Sequence, residues 1–250
     1  MIEAGAGRAP AIPPRRRIIK LSSALVFVCL LLLAPEPARA WHDHTHLAIA
    51  KAAGDPGWYN AAAADVTKIK AGAIEDKNHF FDNDKNVEVT PRLVLDQAGR
   101  YNDPGDEQGH LYGAIIASLR AYRAAKEAGR YADYHLAFAA HYLGDLSQPL
   151  HNIAYDGFNR AHHAANDGLV ERDVLDRVAD IQKRMYEIRL RPDHFEEDLA
   201  REIARIANLS RLLGLKLKSE RRDMTPEEAY TQLAHSASLL RAVINNLPDR

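Results

Sequence analysis

Histidine and aspartate recur in this chain at spacings suited to holding metal ions. In "HYLGDLSQPLH", residues 141–151, His141 and Asp145 are four apart, and on a helix such residues share one face. Pro149 ends that helix, and His151 returns from the turn beyond it. The surrounding residues are small and apolar from Leu136 to Leu143, so the helix is expected to be buried, where charged groups must be paired or ligate a metal. His163 and Asp167 repeat the spacing in "NRAHHAANDG", while His162 points elsewhere and pairs with Asn166. Upstream, "EDKNHFFDND" adds Asp76 and His79, and "WHDHTH" adds His46 close behind Trp41. One such pair alone reads as an exposed ion pair; two with His151 between them read as metal ligands. Imidazole nitrogen and carboxylate oxygen both suit Zn2+.

The first forty residues stand apart from these. Arg15, Arg16, Arg17 and Lys20 lead into the apolar run "LSSALVFVCLLLLAP", and small residues follow at Ala38 and Ala40, which is the pattern of a cleaved export signal. Cleavage after Ala40 makes Trp41 the new N-terminus and predicts a secreted or periplasmic protein. The run is shorter than the roughly 18–20 residues that span a bilayer, so no retained membrane anchor is expected. "RRRIIK" fits a twin-arginine signal as well as the general secretory route.

Cys29, the single cysteine of 250 residues, leaves with the signal, so neither disulfides nor thiolate ligands are available. Losing six basic and two acidic residues takes the formal charge from −1 to −5, which argues against a generic basic nucleic-acid-binding surface. All twelve histidines remain. Residues 41–250 suit one domain, expected to be monomeric.

The elements that must position the ligands read as helices throughout. "HTHLAIAKAA" and "YNAAAADVTKIKAGAI" form the first two, and residues to about Pro104 are the least regular. Then come "HLYGAIIASLRAYRAAKEAG", closed by Gly129, and "YADYHLAFAAHYLGDL", closed by Pro149. "GLVERDVLDRVADIQKRMYEI" and "DHFEEDLAREIARIANLSRLLGLKL" are amphipathic, and "TPEE" opens the last helix with a capping box. No strand pattern of useful length occurs, so the class is all-α, a single-domain multi-helix bundle.

Together these residues resemble the zinc-dependent phospholipase C and single-strand nuclease superfamily. "HYLGDLSQPLH" fits that family's His-Tyr-x-Gly-Asp-x-x-Gln-Pro-x-His run at every fixed position, and the resemblance covers Trp41 to about Asp167. It implies a trinuclear zinc site at the centre of the bundle, three Zn2+ per chain. One zinc would take Asp76, His79, His141 and Asp145, with Glu75 the substitute should Asp76 not reach. A second would take the amine and carbonyl of Trp41, His46, and Asp145 as a bridge; the third would take His151, His163 and Asp167. Asp76 and Asp145 would be the catalytic carboxylates. A free α-amine titrates near 7.7–8.0 and can yield its proton to a metal, so the uncut precursor is expected to be inactive. Asp82 and Asp84 would orient His79 or hold the turn. His42 and His44 are expected to be exposed, and His110, His135, His194 and His235 to be ordinary surface or core residues.

The implied reaction is hydrolysis of a phosphate ester. The short separation of His151 and His163 and "HYLGD" are closer to the phospholipase branch, which makes a phospholipid the expected substrate. A nuclease or 3'-nucleotidase is the alternative and would need aromatic platforms, for which Trp58, Tyr59, Phe80, Phe81, Tyr155 and Phe158 are candidates. A non-catalytic zinc-binding protein is the third reading; it would need a closed third site, and no fourth protein ligand stands near Asp167.

Overall fold

Apolar stripes and local caps produce ten α-helices and no strand among the described residues, which in this computed structural model are Met1 and 41–247. They are α1 (Asp43–Ala53), α2 (Ala63–Ala71), α3 (Ala73–Asp76), α4 (Pro91–Gln97) and α5 (Leu111–Glu127). After these come α6 (Asp133–Leu146), α7 (Gly157–Asp167), α8 (Val178–Gln182), α9 (Phe195–Glu220) and α10 (Pro226–Ile244). The class is all-α. All ten helices belong to one compact unit, Ala38–Arg250, and the expected export signal falls outside the described residues.

Helix starts follow capping chemistry. Thr90 accepts from the Leu93 N–H ahead of α4, Asp156 accepts from the Phe158 and Asn159 N–H groups at α7, and Thr225 with Glu228 forms the capping box of α10. Each such cap is worth about 0.5–2 kcal/mol.

Helix α6 lies at the centre, and its residues 139–146 are all buried by the helices around it. It pairs with α5 as a helical hairpin, and α1, α2, α9 and α10 also pack on it. Leu136, Leu143 and Leu146 are buried against Leu111, Ile115 and Tyr122 of α5 and Leu233 and Leu240 of α10 in one core. Each such side chain contributes about 1.5–3 kcal/mol on burial. His141 and Asp145 sit on this same helix and are wholly buried with it. α9 in turn lies against the Pro149–Asn152 turn, closely enough that a Cβ on Gly214 would lie 2.7 Å from the Pro149 carbonyl. That contact fixes the turn carrying His151.

The sequence expectation fails between Gly168 and Ile188. There the structure has a run of turns and only the short α8. Val170 and Val174 are buried as a helix stripe would require, but the Glu171 carboxylate is drawn away to cap α1. It accepts from the N–H groups of His44 (2.8 Å) and Thr45 (3.0 Å) and from the Thr45 hydroxyl (2.9 Å). Among the described residues no helix is long and apolar enough to cross a membrane.

Candidate metal centre

The Asp145 carboxylate is the hub toward which two helices and a loop direct imidazoles. His46 of α1 places Nε2 3.4 Å from Asp145 Oδ1. His79, from the loop after α3, places Nδ1 3.0 Å from Oδ2, and His141 of α6 places Nε2 3.4 Å from the same oxygen. His79 Nδ1 and His141 Nε2 are 3.2 Å apart. A second group lies alongside: His151 Nε2 is 3.1 Å from His163 Nε2, which is 3.3 Å from Asp167 Oδ2. Donors around one tetrahedral ion with bonds of ~2.0–2.1 Å sit ~3.3–3.4 Å apart. The observed separations fit.

The tautomers make this more than proximity. His141 Nδ1 is 2.9 Å from the Ala61 carbonyl and His151 Nδ1 is 2.6 Å from the His79 carbonyl. A carbonyl only accepts, so both Nδ1 atoms carry the proton. The Asn159 amide nitrogen donates to Leu150 and Ala154 carbonyls, which turns its oxygen to His163 Nδ1 at 2.7 Å. His79 Nε2 points at the Glu75 carboxylate, 3.5 Å away. His151 Nε2 and His163 Nε2, in the neutral rings, are then bare lone pairs that face each other at 3.1 Å, and His141 Nε2 faces His79 Nδ1 at 3.2 Å beside the Asp145 carboxylate. Such pairs repel unless a cation or a proton lies between them. In addition, His46 Nε2, Asp145 Oδ1 and Asp167 Oδ2 are buried without a hydrogen bond, a costly state for polar groups. Three His/Asp groups could each hold a metal ion: His46/His141/Asp145, Asp65/His79/His141 and His151/His163/Asp167.

Electrostatics agrees with this geometry. Burial opposes ionisation of Asp145, yet His141, His46 and His79 hold its carboxyl well below the usual range. Burial likewise works against charge on His79, but the Asp145 and Glu75 carboxylates push it up to about 9. Burial pushes His151 down to about 4 and, together with His141, lowers His46. Burial pushes the Asp167 carboxyl well above the ordinary carboxylate range, against the hydrogen bond from the Gln148 amide. The protein thus keeps donor atoms where only a positive charge would satisfy all of them.

Local sequence explains the placement. Gly144 is one residue before Asp145, and a Cβ there would lie 2.5 Å from His46 Nδ1. Glycine therefore lets α1 bring His46 against α6. Gln148 accepts from the Leu150 N–H at the start of the Pro149–Asn152 turn and donates to Asp167, tying the two His151/His163 arms together.

One implied ligand lies elsewhere. Asp76 pairs with Lys68 at 2.9 Å and its side chain is 39% exposed; it does not join His79. Neighbouring residues on a helix diverge by about 100°, so Glu75 faces inward and Asp76 outward. The carboxylate that does reach is Asp65 of α2, whose Oδ1 is 3.8 Å from both His79 Nδ1 and His141 Nε2. Burial notwithstanding, His141 and His79 hold its carboxyl below the usual range. Glu75 stands behind His79, taking a 2.5 Å hydrogen bond from the Tyr142 hydroxyl.

The remaining site residues fall as follows. The Trp41 ring is wholly buried, and the next residue's N–H reaches the Asp167 carbonyl at 3.5 Å, which brings the chain at Trp41 beside the end of α7. Asp82 accepts from the Tyr155 N–H and holds that turn. His44 is exposed and His42 half-buried. His110, expected to be ordinary, is fully buried between Asp106 (2.9 Å) and Asn78 (2.8 Å), and Asn78 donates in turn to Glu75 and Tyr142. Compared with known proteins, the chain matches no family model, no curated protein and no solved structure.

Proposed function

We propose that this centre holds Zn2+, about three ions per chain, and that the protein hydrolyses phosphate esters, with phospholipid the favoured substrate class. The observation that carries the proposal is the Asp145 carboxylate, buried and shared between His46 on one oxygen and His79 with His141 on the other. A carboxylate so placed could serve two cations at once and would screen their repulsion. Asp65, His79, His141 and Asp145 would hold one ion. His46 and Asp145 would hold the second, with the amine and carbonyl of Trp41 when the chain begins there. His151, His163 and Asp167 would hold the third and leave a position for the substrate.

Zinc in such a site supplies Lewis-acid polarisation of a phosphoryl oxygen and makes water more acidic. The chain's own residues do the rest. Asp65, ionised and with its side chain 15% exposed at the rim, accepts the proton of the attacking water as the new P–O bond forms. The bond to the leaving oxygen breaks in line with it, and that oxygen takes up a proton from solvent to depart as the alcohol. Lys68, paired with Asp76 at 2.9 Å and with its side chain 16% exposed, lies three residues from Asp65 on the same face of α2 and is the cation that would meet a phosphate oxygen there. Asp76 thereby acts through Lys68 rather than as a ligand.

The test is hydrolysis by zinc-loaded protein beginning at Trp41, comparing a chromogenic phosphocholine ester with single-stranded DNA, beside Asp65→Asn. Cleavage of the ester, lost in the variant, is expected. Cleavage of DNA alone would move the substrate to nucleic acid and keep the ligands; cleavage of neither would contradict the proposal. The same protein carrying extra residues ahead of Trp41 should lose activity, in keeping with export and processing before Trp41.

A further inference from the structure

Helix α2 has two faces. Asp65 and Lys68 turn toward the metal centre, with side chains 15% and 16% exposed. Val66 and Ile69, each one residue further along, are 60% and 84% exposed, and Ile74 beyond Gly72 is 46% exposed. An exposed aliphatic residue by itself means little. Here three branched ones fall within nine residues, two on the helix that lines the site and one on α3 just beyond Gly72.

The shape and charge of this corner narrow what it can meet. Gly72 has φ +56°, a Cβ there would meet nothing within 4 Å, and Ile69, Lys70, Ala73 and Ile74 around it are exposed, so the corner projects into solvent. Of its charges, Lys68 and Asp76 pair with each other at 2.9 Å. Glu75 is buried under Tyr142. Lys70 is exposed, and Lys77 lies 5.4 Å over the Phe80 ring. The surface from Val66 to Lys77 is therefore aliphatic and cationic, and its one exposed carboxylate is already paired.

We infer that this corner docks the protein on an aggregated phospholipid surface, micellar or bilayer, with anionic character. The inference rests on the phosphate-ester reading of the centre and adds where the substrate is met. Side chains that sink into the boundary between headgroups and acyl chains need no shaped partner, and basic residues beside them favour anionic lipid. Docked by Val66, Ile69 and Ile74, the protein would hold Asp65 and Lys68, on the adjoining face of α2, toward the headgroup layer. The contact is convex and lies at the site's own rim, which suits a fluid interface better than a protein partner.

The experiment is cosedimentation of zinc-loaded protein with vesicles of phosphatidylcholine, alone and with phosphatidylglycerol, for wild type, Ile69→Asp and Lys70→Glu. Hydrolysis of a monomeric phosphocholine ester is followed in parallel. Wild type should bind, more tightly with the anionic lipid. Ile69→Asp should weaken partitioning ~10- to 100-fold, and Lys70→Glu should remove most of the anionic preference, with ester hydrolysis unchanged in both. Absence of wild-type binding, or equal binding by the variants, would overturn the inference. So would a wild-type dimer that Ile69→Asp makes monomeric without any lipid binding, because the corner would then join two copies. Lipid binding that the variants lose, with no ester cleaved by wild type, would support the surface and count against the hydrolase; ester cleavage without lipid binding would do the reverse.

Discussion

Replacing Asp145 by asparagine keeps the side chain's size and removes its charge. The site loses the one group that touches His46, His79 and His141 at 3.0–3.4 Å. Breaking a buried charged set by removing one partner costs about 3–5 kcal/mol, which is roughly two to three and a half decades in an equilibrium constant at 1.4 kcal/mol per decade. Two of the proposed positions share this carboxylate, so both should weaken by that order, while His151, His163 and Asp167 keep theirs. Zinc per chain, measured after dialysis against a buffered zinc solution, should fall from about three to about one, and ester hydrolysis should fall with it. Asp145→Asn retaining wild-type zinc content and affinity would refute the shared-carboxylate reasoning.

Gly144→Ala should act on the same site through shape: its Cβ, 2.5 Å from His46 Nδ1, should cost ~1–3 kcal/mol by overpacking and lower zinc content, and unchanged zinc would contradict it. Zinc affinity should depend on pH in a stated direction. His79, pushed up to about 9, carries a proton in the metal-free protein that zinc must displace, so affinity should rise about tenfold per unit as pH climbs toward 9 and then level. Calorimetric titration in buffers of different ionisation enthalpy counts that proton, and a pH-independent Kd would count against it. Away from the site, the Arg222 guanidinium and the Thr225 N–H push the Glu228 carboxyl down to about 2. A depressed folded value means stability that is present above the unfolded carboxyl's ~4.3 and lost as pH falls through about 2. Glu228→Gln should therefore cost ~0.5–2 kcal/mol at neutral pH and almost nothing near pH 2, by urea unfolding; an equal gap at both would refute it.

How much of this was legible in the sequence depended on distance along the chain. His141 with Asp145 and His163 with Asp167 could be read because the helix repeat alone sets their relation, and His151 because Pro149 ends α6. Asp65 could not be read in the same way. It is fourteen residues before His79 and reaches it only because α2 packs on α6, whereas Asp76, three residues away in sequence, is turned outward by its place on α3. The only signal for Asp65 was its spacing to Lys68 on one helical face. The turns after Gly168 were misread for a related reason. Their buried valines have helical spacing, but Glu171 is held by the amides of α1, a tertiary cap that no local pattern announces. His110, expected as a surface or core residue, lies in the core between Asp106, four residues before it, and Asn78 from the loop after α3.

The facing ring nitrogens of the buried histidines, 3.1 and 3.2 Å apart, are proposed to hold cations. Anomalous diffraction at the zinc absorption edge, on crystals of zinc-loaded protein beginning at Trp41, tests this most directly. About three peaks are expected: two on either side of the Asp145 carboxylate, toward His46 and toward His79 with His141, and one between His151 and His163 beside Asp167. Zinc-soaked crystals with no peak at either facing-nitrogen pair would contradict the proposal.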